Sequence, residues 1–149
     1  FANVVGSRAR HGVVYDFIKK LQKNPRELEV LGDGTQTKSY LHVEDCVDAF
    51  LTALDDRLWR DAVEIYNIGT EGRTDVMTIA RIVTDAMGLK DVKTRTTQTA
   101  GGRAWPGDIK TMQVDIAKVK KLGWKPKRNS EDAVRAAARE LVDELSSSR

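Results

Sequence analysis

The sequence predicts an α/β fold, and three observations predict it. Short apolar segments alternate with segments whose apolar residues recur at helical spacing. The opening FANVVG and the later VEIYNIG (residues 63–69) are rich in β-branched and apolar residues, as buried strands are. Both are also too apolar for an exposed sheet edge, so they read as strands of a parallel sheet whose other strands are absent from these 149 residues. The start at Phe1, with a strand at once and no linker before it, reads as cut from a longer chain.

The elements follow in order. After the strand ending at Gly6, VVYDFIKKLQK places Val13, Val14, Phe17, Ile18 and Leu21 on one face of a helix that Pro25 stops. ELEVLGDGTQTKSYLHV reads as two short strands around a Gly32-Asp33-Gly34 turn, a small ribbon. Val43, Val47, Phe50, Leu51 and Leu54 mark the apolar face of a second helix, closed by Asp55 and Asp56. After VEIYNIG, Thr74 is the expected N-cap of a third helix that packs through Ile79, Ile82, Val83 and Ala86 and stops at Gly88. The polar, glycine-rich stretch KTRTTQTAGGRAWPGDIKT reads as a functional loop. A short helix over residues 115–122 ends at Gly123. The last helix is expected to be capped by Ser130, with Glu131 and Asp132 in its positive first turn.

Composition narrows the function classes. With 40% hydrophobic and 32% charged residues the chain has the make-up of an ordinary globular domain. A net charge of +3 raises a nucleic-acid reading, but bases and acids are interleaved, as in EDCVDAFLTALDDRLWRD. The run KVKKLGWKPKR is better read as a solvated helix end and turn, so no nucleic-acid partner is expected. No stretch reaches the roughly 18 apolar residues of a membrane span. The lone Cys46 permits no internal disulfide and favours a reducing, cytoplasmic setting. His11 and His42 are too far apart in sequence to suggest a metal site.

Four segments, in order, carry a resemblance: FANVVG as a strand ending in N-x-x-G, then GDGTQTKSYLHVEDCVDAF, YNIGTEGRTDVMTIA and WPGDIKTMQVDIAKVKKLGWKP. Together they make the chain similar to the C-terminal half of the extended short-chain dehydrogenase/reductase family, the group of NAD-dependent nucleotide-sugar epimerases and dehydratases. The resemblance covers nearly the whole chain and implies a Rossmann-type enzyme in which residues 1–149 form the sugar-nucleotide-binding part. Residues 1–6 and 63–69 would then be strands completing the sheet of an absent N-terminal, NAD-binding half. The phosphate loop and the catalytic Tyr-x-x-x-Lys pair with its Ser or Thr are expected upstream, so no catalytic residue is assigned here. The resemblance further implies NAD as cofactor, a UDP- or dTDP-sugar as substrate, a homodimer, and a keto-sugar intermediate. It leaves 4-epimerase, dehydratase and non-catalytic sugar-nucleotide-binding module open.

Site residues follow from the same resemblance. Asn3, an amide in a buried strand that must find partners, would face the nucleotide sugar, and Phe1 and Ala2 would border the nicotinamide. Val30, Leu31 and Gly32 would offer backbone groups to the base. Lys38 stands where many members carry an Arg that grips the diphosphate; an ammonium supplies the charge without the forked donor. Family spacing puts a second phosphate-binding Arg at the position of Trp105, so Arg103 would reach the site from two residues upstream, with Trp105 packing nearby or stacking on a ligand ring. Asp108 would fix the loop or contact ribose. His42 and Asp45 read as strand-to-helix capping groups, Cys46 as a small buried residue, and Trp124 as a hydrophobic cover.

Overall fold

A computed structural model gives the structure of residues 1–55, 63–97 and 100–147. In chain order the elements are β1 (Asn3–Val5), α1 (Val13–Lys23), β2 (Glu27–Leu31), β3 (Thr37–Lys38), β4 (Tyr40–His42), α2 (Val43–Ala53), β5 (Thr74–Asp75), α3 (Val76–Ala86), β6 (Lys93–Thr97), β7 (Thr111–Met112), α4 (Ala117–Lys120) and α5 (Ser130–Ser147). A 3-10 turn occupies Ala100–Gly102.

Two cores hold the elements. The first collects the buried stripes of α1 (Val14, Phe17, Ile18, Leu21) and α3 (Ile79, Ala80, Ile82, Val83), Leu28 and Val30 of β2, and Val134, Ala138 and Leu141 of α5. Each large aliphatic side chain buried there stabilises by about 1.5–3 kcal/mol, which fixes helix rotation. α1 ends where expected: Asn24, the residue before Pro25, is extended at φ −140°, as the proline ring demands of its predecessor. The second core gathers Ala2, Leu41, Cys46, Ala49, Ile68, Ile116, Val119 and Trp124.

The sheet pairings are mostly long-range. β1 runs parallel to β4, with Asn3 opposite Tyr40, and β2 runs parallel to β6. β3 is central in a third sheet, antiparallel to β5 and parallel to β7. The expected ribbon across Gly32-Asp33-Gly34 does not form. β2 hydrogen-bonds to β6 instead, because the turn folds onto loop 101–102, where Asp33 N–H donates to the Gly102 carbonyl at 3.0 Å. That pairing also converts Lys93–Thr97 from expected loop to strand.

Other expectations are corrected by tertiary context. The buried side of α2 is Asp45, Cys46 and Ala49, while Val47, Phe50, Leu51 and Leu54 are exposed, Leu51 by 65%. Small Cys46 and Ala49 allow close approach to the second core, and Arg128 draws in the Asp45 carboxylate through its backbone N–H (3.2 Å) and Nη1 (3.3 Å). Asp56, the expected close of that helix, lies outside the described residues. Residues 63–69 form no strand or ladder, with Val63 and Ile65 each 77% exposed and only Ile68 and Gly69 buried. The cap of α3 is Asp75, which accepts from Thr78 N–H at 2.8 Å, because Thr74 turns its hydroxyl inward to Ser130. Ser130 in turn accepts from Tyr40 N–H, so capping of α5 passes to Asn129, whose Oδ1 accepts from Asp132 N–H at 2.9 Å.

Candidate functional site

A cavity of about 310 Å³ opens where β2, β3, the start of α1 and loop 103–108 converge. That volume is at the lower end for small-molecule sites. Its walls include Val13, Phe17, Leu31, Tyr40, Val76 and Trp105, with polar groups from Asp16, Gln36, Lys38 and Asp108.

Lys38 and Asp108 anchor it. The Lys38 ammonium donates to Asp108 Oδ1 at 2.8 Å, with side chains 20% and 1% exposed. Ala104 N–H donates to the other carboxylate oxygen at 3.2 Å, and Asp108 N–H donates to the Trp105 carbonyl at 3.0 Å, so one carboxylate fastens the whole loop. Burial pushes the Asp108 pKa up, but the Lys38 ammonium and the Ala104 amide outweigh it and hold the carboxyl below its ordinary range. Lys38 also lies 5.7 Å from the Trp105 ring centroid, within cation–π range.

Around this pair the backbone is tightly built. Gln36 Nε2 donates to the Leu31 carbonyl at 2.9 Å, while its buried Oε1 has no partner. Gly32, at φ +90°, donates its N–H to Thr97 Oγ1 at 3.2 Å, and a Cβ there would overlap the Gln36 amide. Tyr40 is buried at the cavity wall, and burial followed by the nearby Asp108 charge pushes its phenol up to about 12. Its hydroxyl has no protein partner among the described residues.

The structure thus brings Lys38, Asp108 and Leu31 to one cavity, with Gly32 adjoining and Val30 buried behind it opposite Thr96. Asn3 stands beside this region, opposite Tyr40, with Nδ2 donating to the Ser39 carbonyl at 3.3 Å, and it is not part of the cavity lining. Arg103 is exposed and off the lining. Phe1 and Ala2 lie elsewhere: Ala2 packs in the second core, and Phe1 borders an apolar cleft of about 330 Å³ with Phe50, Leu54 and Ile65. Gln36 and Tyr40 were missed as site residues. The one signal for them was their position inside GDGTQTKSY, on either side of Lys38.

The remaining candidates are structural in their contacts. His42 caps α2 through Nδ1, which accepts from Glu44 N–H, and its Nε2 lies 3.1 Å from Glu140. Cys46 is buried, which raises its thiol pKa. Trp124 packs in the second core. The chain does contain one Tyr-x-x-x-Lys spacing, Tyr15 to Lys19 on α1, although the catalytic pair was expected wholly upstream. Lys19 is exposed and donates to Gln22 Oε1 at 2.9 Å, the Arg10 guanidinium lies 6.0 Å from the Tyr15 ring, and neither residue lines the cavity. Among the described residues no cluster of His, Cys, Asp or Glu is arranged to hold a metal, and no helix is long and apolar enough to cross a membrane.

Residues 1–69 match the model of the NAD dependent epimerase/dehydratase family. A putative UDP-glucose 4-epimerase of Methanocaldococcus jannaschii is 30% identical over 139 residues, covering 91% of this chain and 42% of that protein. A crystal structure of a UDP-galactose 4-epimerase superposes with a TM-score of 0.82 at 41% identity, covering 97% of this chain and 44% of that one. The chain belongs to the NAD-dependent epimerase/dehydratase family. A UDP-glucose 4-epimerase of Thermotoga maritima, solved with UDP-glucose, shares 27% identity over 97% of the chain with a TM-score of 0.72. The chain spans less than half the length of these relatives, 42% to 45%.

Membership in an NAD-dependent epimerase/dehydratase family implies NAD; of the glycines in the turns around the cavity, Gly32, Gly34 and Gly102 are already packed against the chain's own side chains. Gly102 packs against the Asp33 carboxylate, which would meet a Cβ there and pairs with the Lys110 ammonium at 2.6 Å. Gly34 faces the Met77 and Thr96 side chains. No step through NAD is therefore assigned to these residues.

Proposed function

We propose that this chain is the substrate-binding part of a nucleotide-sugar 4-epimerase of the UDP-glucose/UDP-galactose type. The observation that carries the reading is the 41% identity to a UDP-galactose 4-epimerase over 97% of the chain. The cavity held by Lys38 and Asp108 supports it with a concave, mostly apolar site bearing a few converging polar groups.

In this reading the cavity and its rim take the nucleotide handle, whose binding energy positions a sugar outside these residues. Leu31, Lys38 and Asp108 serve the handle from the lining with Gly32 adjoining, and Asn3 and Arg103 reach it from the rim. Residues 1–6 and 63–69 join a sheet supplied by further protein, which also binds NAD, with Phe1 and Ala2 at that border. The exposure of Val4, Val63, Ile65, Phe50 and Leu51 supports this arrangement, since such side chains are ordinarily covered. Interconversion of UDP-glucose and UDP-galactose by the whole natural protein with NAD, followed by proton NMR, tests the reading. A 4-keto-6-deoxy product would assign a dehydratase instead, and binding of UDP-sugars without turnover would assign a non-catalytic module. The chain by itself is expected to turn over neither sugar.

A further inference from the structure

We propose that residues 103–107 are a strap over the mouth of the cavity, which turns at Gly102 and Gly107 between two fixed posts, lifting to admit a ligand and lying back over it. The sugar-nucleotide reading supplies only the ligand; the movement belongs to the chain itself. Three observations point to it.

The first is how the loop is held. Before the strap, the Gly102 carbonyl accepts from Asp33 N–H at 3.0 Å. After it, Asp108 is buried on Lys38 at 2.8 Å, the Lys110 carbonyl accepts from Thr37 N–H at 2.7 Å, and the Lys110 ammonium returns to the Asp33 carboxylate at 2.6 Å. These posts tie both ends to loop 32–36 and β3, so they stay in place whatever the strap does. Between them the strap has two polar holds among the described residues. Ala104 N–H donates to Asp108 Oδ2 at 3.2 Å, and the Trp105 carbonyl accepts from Asp108 N–H at 3.0 Å. Both end on one residue, so they are made and broken together.

The second is the backbone at the two ends. Gly102 and Gly107 stand at φ +69° and +90°, where side chains are strained. A Cβ at Gly102 would overlap the Asp33 carboxylate, so that glycine also serves packing. One at Gly107 meets nothing within 4 Å, so only backbone freedom calls for glycine there. A residue of that kind, next to a fixed Asp108, has what a hinge needs.

The third is what the strap covers. Ala104 and Trp105 line the cavity, while Arg103, Pro106 and Gly107 are exposed, so one side of the strap is wall and the other is solvent. With the strap down the cavity holds about 310 Å³, a tight space for anything as bulky as a nucleotide sugar. Lifting the strap removes one of its walls.

The test uses trypsin, because Arg103 lies on the strap and is followed by Ala104. The whole natural protein and its Gly107→Ala and Gly72→Ala variants are digested briefly, with mass spectrometry measuring the cut after Arg103 against the cut after exposed Lys121. Gly72, also near φ +90° with nothing within 4 Å, carries the same strain away from the strap. Where opening is fast, the cut tracks the open population. Gly107→Ala strains the closed strap and should speed the cut after Arg103 about fivefold or more, with no such change at Lys121 and none at Arg103 in Gly72→Ala. UDP release, followed by stopped-flow tryptophan fluorescence, should quicken in the same variant. Saturating UDP-glucose should slow the cut in the wild type by roughly tenfold or more. An unchanged cut in Gly107→Ala, or an equal rise at Lys121, overturns the strap. So does a wild-type cut that UDP-glucose leaves untouched although calorimetry shows it bound. Should Gly107→Ala fail to fold by circular dichroism, the wild-type protection alone decides. Failure of UDP-glucose to bind the wild type overturns the sugar-nucleotide reading, and the ligand-free cut in Gly107→Ala still decides the strap.

Discussion

The Lys38 ammonium and the Asp108 carboxylate, 70 positions apart in the chain, meet at 2.8 Å in a pair that is almost closed to water. A loop with few other holds on the protein is thereby tied to the central strand of a three-stranded sheet. The cation expected to wait for a phosphate is, in the protein's own packing, a structural counter-ion.

Lys38→Met should therefore destabilise the fold as well as the site. It leaves Asp108 buried without its partner, and breaking such a pair costs about 3 kcal/mol or more. Urea unfolding reads this directly; a change below about 0.5 kcal/mol would mean that the pair contributes nothing. UDP-sugar affinity should also fall in Lys38→Ala, because loop 103–108 loses its tie to the cavity. Lys38→Arg, which keeps the charge and adds a forked donor, should be tolerated.

Acid sensitivity follows with a definite sign. The Asp108 pKa is depressed in the folded chain, so the stability it contributes is complete above the ordinary aspartate value of about 3.9 and is lost as pH falls below it. In Lys38→Met, burial is left with little to oppose it, and the pKa should rise. Carboxyl-carbon NMR titration of Asp108 in the two proteins should show the variant titrating at higher pH.

Tyr40 gives the alkaline counterpart. Its phenol ionises near 12 in place of 10, so folding keeps it neutral, and stability should fall as pH rises from about 10 towards 12. Tyr40→Phe should remove that loss, measured as thermal unfolding against pH, while changing stability at neutral pH by less than about 1 kcal/mol because the hydroxyl has no protein partner to lose.

Gly32 and Gly72 form a matched contrast, since both have φ near +90°. A Cβ at Gly72 meets nothing within 4 Å, whereas one at Gly32 collides with the Gln36 amide and comes within 2.9 Å of the Gly102 carbonyl. Gly72→Ala should cost only backbone strain, about 1 kcal/mol. Gly32→Ala should cost distinctly more and loosen the Leu31–Gln36 contact, visible as a larger drop in melting temperature and faster amide exchange in loop 32–36.

The exposed apolar side chains predict the solution behaviour of the 149-residue chain alone. Phe1 and Phe50 meet at 5.5 Å beside Leu54 and Ile65, with no further cover among the described residues. The isolated chain should bind a hydrophobic dye and self-associate, and Leu51→Lys should reduce both without loss of helix content. A monomer that binds no dye would show that this face needs no partner.

What the sequence determined by itself is what local chemistry controls. Apolar spacing set α1 and α3, proline closed α1 through Asn24, and the GDGTQTK and WPGD segments marked the two loops that meet at the cavity. Tertiary structure decided whatever depends on a partner far along the chain. β2 took β6 in place of the nearby strand, because hairpin signals register a turn's freedom and not the competing ladder. Thr74 and Ser130 gave up capping because each found a buried partner in the other. The face of α2 was misjudged because hydrophobic periodicity cannot foresee that Arg128 will pull Asp45 inside. Lys38 became neutralised for the same reason: an ammonium in a sequence is a free charge, and only folding brought a buried carboxylate to meet it.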